Sequence, residues 1–267
     1  MMSVTIIIPA RHASTRYPGK PLAELRGASG QARSLIRRSW DAARAVPGID
    51  RVIVATEDTR IRDHAEAFGA EVAMTSDRPR NGTERCAEVL EVMDLDPEIV
   101  VNLQGDAPLT PAWFIEALVA GLRADPSAAC ATPVLRCSGR MRADLLADRA
   151  EGRVGGTTAV FGADHQALYF SKEVIPFAAG PFAPDDPTPV FHHVGVYAYR
   201  PEALAAYAAA PEGVLERLEG LEQLRFLEQG RRIRCVEVES RGRPFWELNN
   251  PADVARIEAM LADLGED

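Results

Sequence analysis

Within ten positions the chain carries three cations, Arg11, Arg16 and Lys20, two hydroxyls, Ser14 and Thr15, and Gly19, which lets a backbone approach a ligand closely. That set of donors suits a polyphosphate. The pattern is not G-x-x-x-x-G-K-[ST], which needs glycine at Ser14 and a hydroxyl at Pro21, and it is not G-x-G-x-x-G. Pro18 and Pro21 lack an N–H and restrict their preceding residues, so a long loop of fixed shape is expected here before any helix. A second chemical group is Asp106, in Gln104-Gly105-Asp106-Ala107-Pro108. A carboxylate facing a basic loop can hold Mg²⁺, which takes one or two carboxylates plus phosphate oxygens; the plain alternative is an Asp that only makes a turn. A third group, Asn81-Gly82-Thr83-Glu84-Arg85, suits a helix start, either as caps or as free N–H donors to a ligand. His193, on an apolar strand, reads as a core residue or a ligand.

These groups need elements that bring them to one edge. The apolar, β-branched run 4–8 reads as a strand buried on both faces, followed directly by the basic loop. Strands at 51–55, 71–74 and 98–103 alternate with helices at 34–46, from about 59 to 68, and at 86–93, which predicts an α/β fold with a parallel sheet of right-handed βαβ units. Open sheets of this kind bind ligands at the carboxyl ends of their strands, where the basic loop and Asp106 both fall. Thr110 and Pro111 begin a helix running to 122, and a strand follows at 128–135. Beyond a polar stretch at 138–156, the runs 157–161 and 167–171 read as paired antiparallel strands, 178–189 as a loop and 192–200 as one strand with His193, Gly195 and Tyr197 on one face. Leucines at three-residue spacing over 215–229 predict a single helix whose acids face solvent; a strand at 235–238 and a helix at 252–264 complete the chain.

A chain of 267 residues is long enough for one large α/β domain, and its net charge of −9 argues against nucleic acid or an anionic membrane as partner. Cys86, Cys130, Cys137 and Cys235 are too scattered for a zinc site and read as reduced thiols of a cytoplasmic protein. Neither an export leader nor a membrane-spanning run is expected.

Seven segments, 8–21, 54–56, 82–85, 104–108, 167–171, 193–200 and 221–225, occur in the order found in the 3-deoxy-manno-octulosonate (KDO) cytidylyltransferases, or CMP-KDO synthetases, which the chain resembles over essentially its whole length. The resemblance implies a nucleotidyltransferase fold: a Rossmann-like, mostly parallel sheet flanked by helices, with a smaller antiparallel lobe for acceptor and dimerisation. It divides the chain into a CTP-binding half at 1–135, an acceptor and dimerisation lobe at 136–240 and a closing helix at 241–267. It implies CTP as co-substrate, Mg²⁺ and a homodimer. Position by position it places Arg11, Ser14, Arg16 and Lys20 at the triphosphate and the segment around Gly82, Thr83 and Arg85 by the cytosine, with Pro9, Ala10, Thr15, Thr56, Asn81, Gln104 and Gly105 also binding CTP. Asp106 would bind metal, and Gln104, Tyr169, His193, Tyr197, Glu222 and Gln223 the acceptor. Arg11, Arg16, Lys20 and Asp106 would carry the transfer itself.

The departures fall on the acceptor and second-metal side. Asn249 stands where the family pattern has a second metal-binding Asp, with Glu247 nearby as a substitute; Ala107 replaces a Glu, Thr158 a Lys, and His192 an Arg. They motivate two further expectations: a branch that cytidylylates a small phosphonate such as phosphonoformate, or a CTP-binding module without turnover.

Overall fold

The computed structural model describes residues 3–13, 17–154, 156–243, 246–248 and 250–267, so Ser14, Thr15, Arg16 and Asn249 lie outside the described residues. The chain divides into two compact units. The first holds residues 1–116, 200–205 and 240–267, and the second 117–199 and 206–239.

The first unit is built on β1 (Val4–Pro9), β4 (Arg51–Thr56), β5 (Glu71–Met74) and β6 (Ile99–Leu103), in the order β5-β4-β1-β6. All pairings are parallel, with Ile7 opposite both Ile53 and Asn102, and Val54 opposite Val72. Ile6, Ile7 and Ile8 are fully buried, as a strand covered on both faces requires. The connections are α1 (Leu35–Arg44), capped by the Ser34 hydroxyl, α2 (Thr59–Ala67), capped by Asp58, and α3 (Gly82–Val92), capped by Asn81. α3 starts four residues before the helix expected from the sequence, because Asn81 already supplies the cap. Two short strands, β2 (Glu24–Arg26) and β3 (Ala32–Ser34), form an antiparallel hairpin between the basic loop and α1. They were not expected, since three residues are too few to show a period. α4 (Ala112–Ala124) carries the chain onward, and the boundary between the units falls inside it.

The second unit is mainly antiparallel. β7 (Ala128–Ser138) pairs antiparallel with β11 (Val196–Tyr199) and β10 (Pro187–His193), and parallel with β12 (Arg232–Glu237). β10 also pairs with β8 (Thr157–Phe161), which pairs with β9 (Ala167–Ser171), both antiparallel. The stretch at 139–150 is the helix α5 (Gly139–Ala150). The expected strand 192–200 is two strands: β10 meets β7 with His193 opposite Val134, while β11 meets it with Ala198 opposite Ala131, a slip of two residues at Val194 and Gly195. A slip of two preserves which face a side chain takes, so His193 and Tyr197 stay on the same side.

Helix α6 (Pro201–Ala209) leads to α7 (Val214–Glu219) and α8 (Leu224–Glu228), where one helix over 215–229 was expected. Gly220 ends α7 at φ 63, a conformation glycine adopts without penalty. The break changes which residues are inside. Leu218, on the supposed apolar stripe, is exposed, whereas Glu216, expected in solvent, is buried. Arg225 on α8 grips the Glu216 carboxylate with two hydrogen bonds of 2.6 Å, and the Tyr207 hydroxyl adds a third at 3.2 Å. The guanidinium also lies over the Tyr207 ring, 3.9 Å from its centre. The chain returns to the first unit with α9 (Asp253–Leu264), whose Ile257 and Leu261 join Leu25, Leu35, Leu109 and Leu248 in one apolar cluster.

Removing one member of a buried ion pair leaves the other charge uncompensated, at a cost of about 3–5 kcal/mol. Arg225→Ala is expected to lose that much stability in urea denaturation. The double replacement Glu216→Met with Arg225→Met, which leaves no orphan charge, is expected to lose far less.

Candidate active site

Parallel pairing brings the carboxyl ends of β1, β4 and β6 to one edge of the first unit, and the chemical groups sit there. Leaving β1, Pro9 and Ala10 continue the ladder, with the Ala10 N–H on the Ala55 carbonyl at 2.8 Å. Arg11 is exposed at the start of the loop. The loop closes on itself: the Gly19 N–H donates to the His12 carbonyl at 3.0 Å, and the Lys20 N–H to that of Tyr17 at 3.2 Å. A single 3-10 turn, Lys20–Leu22, with buried Pro21, ends it.

At the end of β6, Gln104 and Gly105 lead to Asp106. A Cβ on Gly105 would stand 2.7 Å from the Pro9 carbonyl oxygen, so only glycine allows the end of β6 to approach the end of β1 this closely. The Ser39 hydroxyl holds the Gly105 carbonyl at 3.1 Å, and the Leu248 N–H holds that of Asp106 at 2.9 Å. The Asp106 carboxylate then meets the Lys20 ammonium at 2.6 Å, with both side chains partly exposed. Ala107 beside it is buried.

Thr56, Asn81, Thr83 and Arg85 turn their side chains toward the protein. The Thr56 hydroxyl accepts the Asp58 N–H at 3.2 Å, and the Asn81 amide oxygen accepts the Glu84 N–H at 2.9 Å, while Gly82 is the first residue of α3. Thr83 is fully buried, and Arg85 is 4% exposed and paired with Glu57 at 2.9 Å. Glu57 was not singled out in the sequence, where one acid after a strand has no signature. Among the described residues, no group of three His, Cys, Asp or Glu side chains is placed to hold a metal ion by itself.

In the second unit the structure gathers His193, Tyr197 and Gln223. His193 and Tyr197 have ring centres 5.6 Å apart, although four residues of regular strand would separate them by about 13 Å; the slip at Val194 and Gly195 closes that distance. The Tyr197 hydroxyl donates to the Gln223 amide oxygen at 3.1 Å. The His193 Nε2 lies 3.0 Å from the Thr132 hydroxyl and its Nδ1 lies 3.1 Å from the Thr157 hydroxyl. Thr132 gives its one proton to the carbonyls of Val194 and Val196, at 3.1 and 3.0 Å, so His193 Nε2 donates to Thr132 and Nδ1 accepts from Thr157. Burial, with the adjacent His192, pushes the His193 pKa down to about 3. The ring is therefore neutral.

Tyr169 lies apart from this trio. Its hydroxyl reaches Glu219 at 3.4 Å, which also binds the Ser171 hydroxyl at 2.7 Å and the Lys172 N–H at 2.9 Å. Glu222 contributes its backbone carbonyl to the Tyr207 hydroxyl at 3.1 Å. Glu219 was missed as a polar anchor because the leucine spacing marked it as solvent-facing. Thr158, at the position of the family lysine, is buried with its hydroxyl on the Glu173 carbonyl at 2.6 Å.

A parallel sheet with a basic loop and a carboxylate at the same strand ends is an arrangement that suits a nucleotidyltransferase. The cytidylyltransferase family profile matches residues 5–233. A 3-deoxy-manno-octulosonate cytidylyltransferase of Maricaulis maris (strain MCS10) is 46% identical over 265 residues, 99% of each chain. An 8-amino-3,8-dideoxy-manno-octulosonate cytidylyltransferase of Shewanella frigidimarina (strain NCIMB 400) is 37% identical over 98% of this chain and 99% of that one. Among solved structures, a CMP:2-keto-3-deoxy-manno-octonic acid synthetase complexed with CTP superposes with a TM-score of 0.83 at 32% identity, covering 98% of this chain and 99% of that one. The chain belongs to the cytidylyltransferase family, among the 3-deoxy-manno-octulosonate cytidylyltransferases, and is an enzyme.

A buried imidazole that stays neutral makes stability depend on pH. His192 and His193 have pKa values lowered from the ordinary 6.5 to about 4 and about 3 by burial, so as pH falls the unfolded chain takes up protons first. Their contribution is complete above pH 6.5 and is lost progressively from there toward pH 3. The melting temperature is expected to fall over that window, and His193→Gln is expected to flatten part of the slope.

Proposed function

We propose that the enzyme transfers CMP from CTP to 3-deoxy-manno-octulosonate and releases pyrophosphate, with Mg²⁺ as cofactor. The observation that carries this reading is the meeting of Lys20 and Asp106 at 2.6 Å at one strand edge, a cation suited to phosphate beside a carboxylate suited to a metal. The full-length likeness to proteins named for that transfer supports the acceptor. The domain reading follows: residues 1–135 take the nucleotide, 136–240 the acceptor, and 241–267 close the fold.

Arg11, Lys20 and, by resemblance, Ser14, Thr15 and Arg16 bind the triphosphate and offset the charge that develops as pyrophosphate leaves. The acceptor hydroxyl attacks the α-phosphorus in line, so the protein contributes mainly positioning and neutralisation, and no side chain needs to act as a nucleophile. Asp106 suits Mg²⁺, a hard cation that accepts one or two carboxylates and fills its remaining positions with phosphate oxygens and water. Asn249 or Glu247 would add a neutral or a charged oxygen to it. When bound, the metal supplies further positive charge at the phosphates.

By resemblance, Tyr169, His193, Tyr197, Glu222 and Gln223 of the second unit, and Gln104 of the first, are the residues assigned to the acceptor. His193 serves there as a neutral ring held by Thr132 and Thr157, since both of its nitrogens are bonded. Gln223, whose amide oxygen is taken by Tyr197, keeps a buried Nε2 donor without a protein partner. The enzyme works as a homodimer, which the resemblance implies, in the cytoplasm, where four buried free cysteines stay reduced.

The phosphonate reading rests on Ala107 and Thr158, uncharged and buried where the family pattern has charged residues. One assay separates the two acceptors and tests turnover itself: pyrophosphate release from CTP and Mg²⁺ with 3-deoxy-manno-octulosonate and with phosphonoformate in parallel. Release with the sugar acid alone is expected. Release with phosphonoformate alone would replace the acceptor, and release with neither, while CTP still raises the melting temperature, would indicate a binding module. Asp106→Asn is expected to lower kcat on the order of a hundredfold, the scale of removing one preorganised charge-stabilising group.

A further inference from the structure

Glu57 is the first residue after β4, at the same edge as the basic loop, and no part of the transfer described above uses it. Its Oε1 accepts the His12 backbone N–H at 3.2 Å, and its Oε2 lies 2.9 Å from Arg85 Nη2. Arg85 is 4% exposed and anchored in turn, with Nη1 donating to the Thr75 hydroxyl and to the Ser76 carbonyl at 3.5 Å. On the other side, His12 is the residue whose carbonyl takes the Gly19 N–H and closes the loop. The carboxylate thus bridges the start of the basic loop and a guanidinium fixed between α3 and the strand ends.

We propose that Glu57 is a positioning residue for triphosphate binding: it holds the His12 N–H, and through it the described ends of the basic loop where His12 meets Gly19, with Arg85 as its buried counter-ion. The inference rests on the CTP reading above and extends it. A loop whose ends are already fixed loses less freedom when the ligand arrives, so the contact at His12 shows as nucleotide affinity. Arg85 lies in a segment that the resemblance places along CTP; the geometry makes it act through Glu57, since a guanidinium this buried and paired presents little surface to a ligand. A charged carboxylate suits both tasks, because a hydrogen bond to an ionised acceptor is stronger than a neutral one and the buried cation needs an opposite charge.

The two tasks separate in two variants. Glu57→Ala removes the acceptor for His12 and the charge for Arg85, while Glu57→Gln keeps an amide oxygen for His12 and loses only the charge. Binding of CTP with Mg²⁺ is measured by calorimetry, alongside KM for each substrate, kcat, the melting temperature, and amide exchange of residues 10–21 without nucleotide. The expected result is an approximately tenfold loss of CTP affinity in Glu57→Ala, the effect of one hydrogen bond to a charged group, with faster exchange in the loop. KM for CTP rises in step, while KM for the acceptor stays within about twofold, since loss of the loop contact alone predicts no acceptor-side change. Glu57→Gln is expected to keep most of the CTP affinity although its melting temperature falls.

A purely structural role would make affinity follow stability, so equal losses of affinity in the two variants would overturn the proposal. So would a Glu57→Ala variant that binds CTP within twofold of the unmodified enzyme, or loop exchange unchanged in both. An unmodified enzyme that binds no CTP would overturn the nucleotide reading itself, which is a different result from altered binding in the variants.

Discussion

The parallel pairing of β1 with both β4 and β6 is the constraint on which the chemistry of the first unit depends. Because the three strands run the same way, their carboxyl ends finish at one edge, and everything that follows them in sequence is delivered there. The basic loop follows β1, Glu57 follows β4 and Asp106 follows β6. An antiparallel neighbour would have sent one of these groups to the opposite end. The approach is tightened by Gly105, since any side chain there would meet the Pro9 carbonyl. The ion pair between Lys20 and Asp106 is a consequence of that approach.

The second unit solves a different problem with an irregularity. Regular strand would carry His193 and Tyr197 far apart along one face, and the slip between β10 and β11 folds that distance away. Thr132 sits at the slip and turns its hydroxyl proton to the carbonyls of Val194 and Val196. The same oxygen receives His193, so the irregularity also sets the tautomer of the ring.

Charge is distributed unevenly for a chain that carries an excess of nine acids over bases. Three cations fall within residues 11–20, directly after β1, whereas Arg85 and Arg225 are buried against single acids. Arginine suits those places because its planar fork can meet a carboxylate through two nitrogens while remaining charged.

Much of the first unit was legible in the sequence. Buried parallel strands are continuous apolar runs, Ser34 marks a helix start through a local hydrogen bond, and the basic loop and Asp106 show themselves by residue type at a strand end. The family, too, was legible, because seven ordered motifs are a property of the chain itself. What local pattern could not reveal depends on partners distant in sequence. The leucines at 215–227 have helical spacing, but Gly220 and the ion pair between Glu216 and Arg225 divide the helix and bury an acid. His193 could be read as ligand or core until Thr132 and Thr157, 61 and 36 residues away, showed both nitrogens bonded. Glu57 had no signature at all, because its role exists only where His12 and Arg85 meet it. The sequence by itself determined the parallel framework, the grouping of cations after the first strand and the family, all of which are written in short-range pattern; tertiary structure alone decided which polar side chains hold one another, because hydrogen-bond partners are assigned by proximity in space.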